Sequence, residues 1–415
     1  MTPEHDRSLA AYADLIVRVG LNLQPGQRLL IRAPLETAPL ARHIAARAYD
    51  HGARLVEAVY SDPHLQLTRF QHAPADSFEE HSTWPVTAGL EYVENGHATV
   101  SITGTDPDLF KDVDPARIAA IRRTEGRVAA PLSRLITADA VNWCVVGYAT
   151  PAWAARVFPQ LAPDEALAAL WDAIFRTVRL DAPDPLAAWQ AHTAELAART
   201  ALLNERQYNA LHFTGPGTDL TVGLPFDHRW LGGAAPTLNG ITNVANLPTE
   251  EVFTAPDRAR VNGTVRATMP LNLGGNLVEQ FSLTFADGRV TDVQAEKGGE
   301  LLKALIDTDE GAARLGELAL VPADSPISRS GILFYNTLFD ENAASHIALG
   351  RAYANCIAGC EGLNDADFAA RGGNSSIIHV DFMIGSTEID VDGLTDDGAA
   401  EPLMRAGEWV NKSDE

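Results

Sequence analysis

The sequence predicts an α/β protein, with an N-terminal doubly wound α/β domain followed by a C-terminal mixed α+β domain. Three observations carry this reading. Short apolar strands alternate with helical patterns through the first half. Two long Ala/Leu-rich helical patterns, at 164–180 and 185–204, close that half. Beyond them glycines and turns become dense and β patterns dominate.

Each element has a local reason. Leu9, Tyr12, Leu15, Ile16 and Val19 recur at helical spacing, so the chain opens on an amphipathic helix. Pro25-Gly26 turn it into an apolar strand at 28–33. Residues 37–47 read as a helix that His51-Gly52 stop, and 54–60 as a second strand. Strands three and four fall at 98–103 and 141–146. The run Asp181-Ala-Pro-Asp-Pro185 breaks the two long helical patterns and marks the junction, giving domains of 1–190 and 191–415. In the second half, 209–213 and 217–224 are strand candidates. Segments 277–285 and 289–295 flank Asp287-Gly288, a strong hairpin signal. A short strand at 331–334 leads into a helical pattern at 341–353, and 377–384 reads as an alternating strand.

Composition narrows the function. Acidic residues outnumber basic ones, 55 to 32, for a net charge of -23. Such a charge repels phosphate backbones and anionic lipid, and the arginines are scattered, so neither nucleic acid nor membrane is an expected partner. Three cysteines, Cys144, Cys356 and Cys360, are too few and too odd in number for a disulfide-built fold. Cys356 and Cys360 could share a helix face, and they read better as small buried apolar residues than as ligands. The N-terminal segment lacks a basic region and its apolar residues are periodic, so it does not read as a signal peptide, and the expected location is the cytoplasm. The α/β half carries no G-x-G-x-x-G after its first strand and no G-x-x-x-x-G-K-[ST], so it reads as scaffold, gating surface or oligomer contact.

Chemistry-bearing residues gather late in the chain. His379 and Asp381 alternate with Ile378, Val380 and Phe382. Residues two apart in a strand share a face, which suits two ligands of one metal, though a polar edge strand would look the same. Glu341 and His346 lie five apart on a helical pattern, about 140° around it, so they serve one ion only if the helix start is irregular. Tyr353 falls about two turns beyond His346, as a phenol able to polarise a carbonyl or as a core tyrosine. Glu250 and Glu251 sit in an extended segment where neighbours point to opposite faces. At most one is a direct ligand, and the other is a base behind it or a solvated acid. Glu317, alone in Leu-Gly-Glu-Leu-Ala-Leu-Val-Pro, needs a partner if buried. A metal is one such partner, and an exposed helical face is the alternative setting. Together these residues are the supply that two divalent cations require. No H-E-x-x-H and no G-x-S-x-G is present.

The stretch Asn-Leu-Pro-Thr-Glu-Glu-Val-Phe-Thr-Ala-Pro-Asp at 246–257 resembles the signature of the thermophilic metalloaminopeptidase family, the aminopeptidase T and S group. The resemblance continues through Gly-Thr-Asp-Leu-Thr (217–221), Leu-Gly-Glu-Leu-Ala (315–319), Glu-Asn-Ala-Ala-Ser-His-Ile-Ala-Leu-Gly (341–350) and His-Val-Asp-Phe-Met-Ile-Gly (379–385). It implies a dinuclear aminopeptidase that removes N-terminal residues from peptides, with two divalent ions per chain: Zn, Co, Mn or Mg. Carried over by motif, the ligands are Glu250, Glu317, His346, His379 and Asp381, with Glu341 a further candidate and Glu317 the bridge. Tyr353 matches the family's active-site tyrosine, and Glu251 is the motif-adjacent candidate for the general base. The resemblance also implies a homodimer with enclosed active sites, access to which the N-terminal domain restricts. Two cations roughly 3.5–4 Å apart lower the pKa of a shared water and polarise the scissile carbonyl. The rival readings are another dinuclear hydrolase and a non-catalytic metal- or peptide-binding protein on the same scaffold. The N-terminal pattern alone would also allow an oxidoreductase, against which the missing glycine fingerprint speaks.

Overall fold

A computed structural model describes residues 3–273 and 275–410. It combines one parallel sheet with antiparallel sheets, the two-domain α/β fold that the alternation predicts. The chain divides into two compact units. One comprises the residues up to Thr193 together with Ala234–Thr249 and Leu333–Leu338. The other comprises Ala194–Gly233, Glu250–Ile332 and the chain from Phe339 on. The division lies inside the Pro185–Arg206 helix.

The first unit is built on a five-stranded parallel sheet in the order Leu55–Ser61, Arg28–Pro34, Ala98–Thr103, Trp143–Gly147, Asn246–Leu247. Its central strands are near-continuous apolar runs, with Leu29, Leu30, Ile31, Val100, Ile102 and Val146 all buried, as a sheet covered on both faces requires. The opening helix, Pro3–Leu15, continues through a π turn at Ile16–Gly20 and buries Leu9, Tyr12, Leu15 and Ile16. At Gly20 the backbone approaches Cys144 so closely that a Cβ would stand 2.7 Å from its Sγ. Helices at Pro63–His72, Trp84–Glu94 and Pro115–Thr137 were not anticipated. Asp62 and Asp114 cap two of them, and Pro131 inside the longest obscured its period.

The second unit holds a nine-stranded antiparallel sheet and a four-stranded one. The Asp287-Gly288 hairpin forms as expected, both residues at positive φ as a type I′ turn demands. The four-stranded sheet runs Val252–Thr254, Leu315–Leu320, His346–Gly350, His379–Met383, all antiparallel. One of its faces, with Leu318, Leu320, Ile347, Leu349 and Phe382, joins the core formed by Phe213, Leu220 and Phe281 of the large sheet. Phe281 and Phe382 rings meet at 5.3 Å.

Three local expectations are corrected. The helical pattern at 341–353 is a 3-10 turn, Glu341–Ala343, followed by the His346–Gly350 strand. That strand is buried along its length, and a buried apolar run cannot be told from a buried helix by periodicity. No strand forms at 331–334, where Gly331 caps the short Pro326–Ser330 helix in the left-handed region. Cys356 and Cys360 occupy a 3-10 turn and the turn after it rather than a helix face; both are buried and neither forms a disulfide.

Candidate metal centre

Strand alternation on the four-stranded sheet decides which side chains meet. The face opposite the apolar core carries Glu317, His346, His379 and Asp381, contributed by three adjacent strands. Glu317 is aimed by a bulge: the register shifts between Leu315 and Glu317. Gly316 makes the bulge feasible, because a Cβ there would stand 2.4 Å from the Gly350 carbonyl oxygen and 2.3 Å from that of Arg351. Glu251 reaches the same cluster from the residue just before the Val252–Thr254 strand.

The geometry forms two triads that share one carboxylate: Glu251, Glu317 and His346, then Glu317, His379 and Asp381. Glu317 Oε1 lies 3.6 Å from His346 Nε2, and its Oε2 lies 3.3 Å from His379 Nε2. His346 Nε2 is 3.1 Å from Glu251 Oε2, and His379 Nε2 is 3.4 Å from Asp381 Oδ1. Both imidazoles are fixed from behind. Nδ1 of His346 faces the Ala344 carbonyl at 3.1 Å, and Nδ1 of His379 faces that of Arg351 at 2.7 Å. A ring that donates Nδ1–H to a carbonyl presents Nε2 as its free lone pair, the arrangement usual for metal-binding histidines.

Charges in this pocket are strongly coupled. Burial alone would raise the Glu317 carboxyl, but hydrogen bonds and charge from His346 and His379 outweigh it and hold the group at about 2. Burial raises Glu251, and its neighbour His346 only partly offsets this. Burial also raises Glu341 well above the usual range, helped by the nearby charges of Glu251 and Asp381. Burial would lower both histidines, yet the surrounding carboxylates raise His346 and His379 well above the ordinary value. Tyr353 is held well above the usual phenol range by burial and by Glu317 and Asp381, so it remains a donor. Its ring lies 5.1 Å from that of His379 and 6.0 Å from that of Phe253.

The neighbouring glutamates take different places. Glu251 stands in the first triad, whereas Glu250 belongs to neither. The Glu250 backbone N–H donates to Asn342 Oδ1 at 2.7 Å, and Asn342 is completely buried. Ser325 Oγ in turn donates to the Asn342 carbonyl at 2.8 Å. Asn342 thus fixes the segment that delivers Glu251. The sequence reading passed over it, although it lies inside the Glu341–Gly350 block. Glu341 is outside both triads but close enough for their carboxylates to act on it.

The donor set fits divalent metal. Ligands at about 2.0–2.1 Å around a tetrahedral ion stand about 3.3–3.4 Å from one another, close to the four nitrogen–oxygen separations here. Glu251 Oε2 and Asp381 Oδ1 are buried without a hydrogen-bond partner, the former near His346 but outside hydrogen-bonding geometry. Buried charged oxygens are costly unless a cation or a donor satisfies them.

A buried carboxylate–imidazole cluster of this kind offers the donors that hold a divalent metal. The chain belongs to the thermophilic metalloprotease family (M29), which it matches over residues 5–409. It is 49% identical over 405 residues to Aminopeptidase 2 of Geobacillus stearothermophilus, covering 98% of each chain. It is 48% identical to Aminopeptidase T of Thermus aquaticus, covering 97% of this chain and 98% of that one. The solved structure of wild-type AmpT from Thermus thermophilus superposes with a TM-score of 0.92 at 46% identity, covering 98% of this chain and 99% of that one.

Proposed function

We propose that this aminopeptidase of the M29 family works with two divalent metal ions and removes N-terminal residues from peptides. One observation carries the dinuclear reading: the two carboxylate oxygens of Glu317 face two different histidines, each completed by its own second carboxylate. Glu251 and His346 would hold one ion, His379 and Asp381 the other, and Glu317 would bridge them. Zn, Co, Mn and Mg all accept such mixed N/O donors. When bound, such a pair acidifies a shared water and polarises the scissile carbonyl.

The chain's own groups do the rest. Main-chain carbonyls behind His346 and His379 keep both Nε2 atoms turned toward the cluster. Tyr353, with its phenol kept protonated, donates a hydrogen bond to the charge developing on the carbonyl oxygen. Glu251 sits among the ligands in this reading, so proton transfer to the departing amine falls to Glu341, the buried carboxyl outside both triads. The free amine of the substrate is drawn to a pocket rich in carboxylates. The homodimer, the gating role of the N-terminal unit and the cytoplasmic location belong to the same reading. Among the described residues, no helix is long and apolar enough to cross a membrane.

The test is hydrolysis of leucine-p-nitroanilide by metal-stripped protein, with and without returned Co²⁺ or Zn²⁺, beside an N-acetylated control. Metal-dependent cleavage of the free-amine substrate alone, with a metal content near two per chain, is expected. Equal cleavage of the acetylated substrate, or turnover indifferent to metal, would overturn the reading.

A further inference from the structure

The middle of the ligand face is occupied by a single methyl group. Ala348 is paired in register with Glu317 on one side and with Asp381 on the other. It follows His346 by two residues on the same strand, so all four side chains share a face. Directly opposed residues of antiparallel strands stand about 4.5–5.5 Å apart at Cβ. The Ala348 methyl therefore floors the gap between two carboxylate-bearing positions, with His346 beside it along the strand. Ala348 is completely buried. Ile347 and Leu349 on either side of it point into the apolar core and are large. The strand thus carries large side chains on one face, whereas on the other, after His346, neither Ala348 nor Gly350 has an atom beyond Cβ. Close-packed interiors rarely forgo volume without a reason. Any γ-atom at this position would enter the space between donor atoms that already lie within 4.8 Å of one another in each triad.

We propose that Ala348 is a positioning residue for the metal pair: having no atom beyond Cβ, it reserves the volume in which the ions are held. The proposal rests on the two-metal reading above. It is tested with Ala348→Ser and Ala348→Val beside Ile347→Val, which removes a methyl from the opposite face of the same strand. Each protein is stripped and reloaded with Zn²⁺. Metal content is read by mass spectrometry, affinity by calorimetry, and the metal-free fold by circular dichroism and melting.

Wild type and Ile347→Val are expected to hold two ions, with only the latter's melting temperature reduced. Ala348→Ser is expected to bind roughly 10–100-fold more weakly, the range seen when a metal site's immediate surroundings are disturbed, while melting like wild type without metal. Ala348→Val is expected to hold less than one ion. Wild-type content and affinity in both Ala348 variants would overturn the proposal. Should Ala348→Val fail to fold, Ala348→Ser decides by its single added atom. A wild type that holds one ion overturns the two-metal reading, and Ala348→Ser then still reports on the remaining ion. A wild type that holds none overturns both.

Discussion

The two sheets at the heart of the two units use the same polypeptide geometry for different ends. In the parallel sheet, strands such as Arg28–Pro34 and Ala98–Thr103 bury most of their residues, with no preference for alternate positions. Among the described residues, no triad of potential metal ligands lies in that unit. In the four-stranded antiparallel sheet, every second residue faces a large apolar core, and the carboxylates and imidazoles stand among the residues between them. A parallel sheet covered on both faces has no face to spare for charge, whereas an antiparallel sheet can give one face to stability and the other to chemistry. The contrast teaches that the buried charges here are supported by the apolar packing directly behind them. Glu317 is flanked by Leu318, and His346 by Ile347, both fully buried.

The strongest way to break this division of labour is Glu317→Gln. The amide keeps the shape but removes the charge that faces both histidines. Activity on leucine-p-nitroanilide is expected to fall by on the order of 10²–10³ or more, with metal content reduced and the circular dichroism spectrum unchanged. Near-normal turnover would show that the ligand face does not carry the chemistry.

A finer probe separates the adjacent acids. Glu251→Gln is expected to weaken metal binding by roughly 10–100-fold or more, and Glu250→Gln much less, because only Glu251 stands in a triad. Calorimetric titration of both stripped variants checks the order. The reverse order would restore the assignment that the motif alone suggested.

The smallest expected effect lies away from the metal face. His228 is buried, with Nδ1 2.9 Å from the Pro225 carbonyl and Nε2 without a hydrogen-bond partner. Burial lowers its pKa below 6.5. The unfolded chain therefore takes up the proton first, so the stability that neutral His228 contributes is present above about pH 6.5 and is lost as pH falls toward its folded value. His228→Asn keeps a donor for Pro225 without titrating. It should flatten the decline in stability between pH 7 and 5 by no more than about 1.4 kcal/mol per pH unit. Parallel melting curves for the two proteins would show that His228 has no such role.

The sequence by itself determined the class of fold and the residue types available for the candidate cluster. Period-two alternation at His379 and Asp381 survives as a strand with both side chains in one triad, because a strand's alternation is a local property of the backbone. The apolar run around Glu317 left burial or an exposed helical face open; the residue is buried, and burial of a lone acid requires a partner whatever the surrounding fold. What only tertiary structure decided was which neighbours meet. A run such as His346–Gly350 reads as helix or strand until the strands on either side exist to pair with it. The grouping of Glu251, and not Glu250, with the cluster goes with the buried Asn342, some ninety residues further along the chain, which accepts from the Glu250 backbone N–H. The role of Ala348 was invisible for the same reason: an alanine in a buried strand means nothing until register places it between two carboxylates. Local pattern constrains the faces that side chains take, but cross-strand register is a long-range property, and it is register that assembles the site.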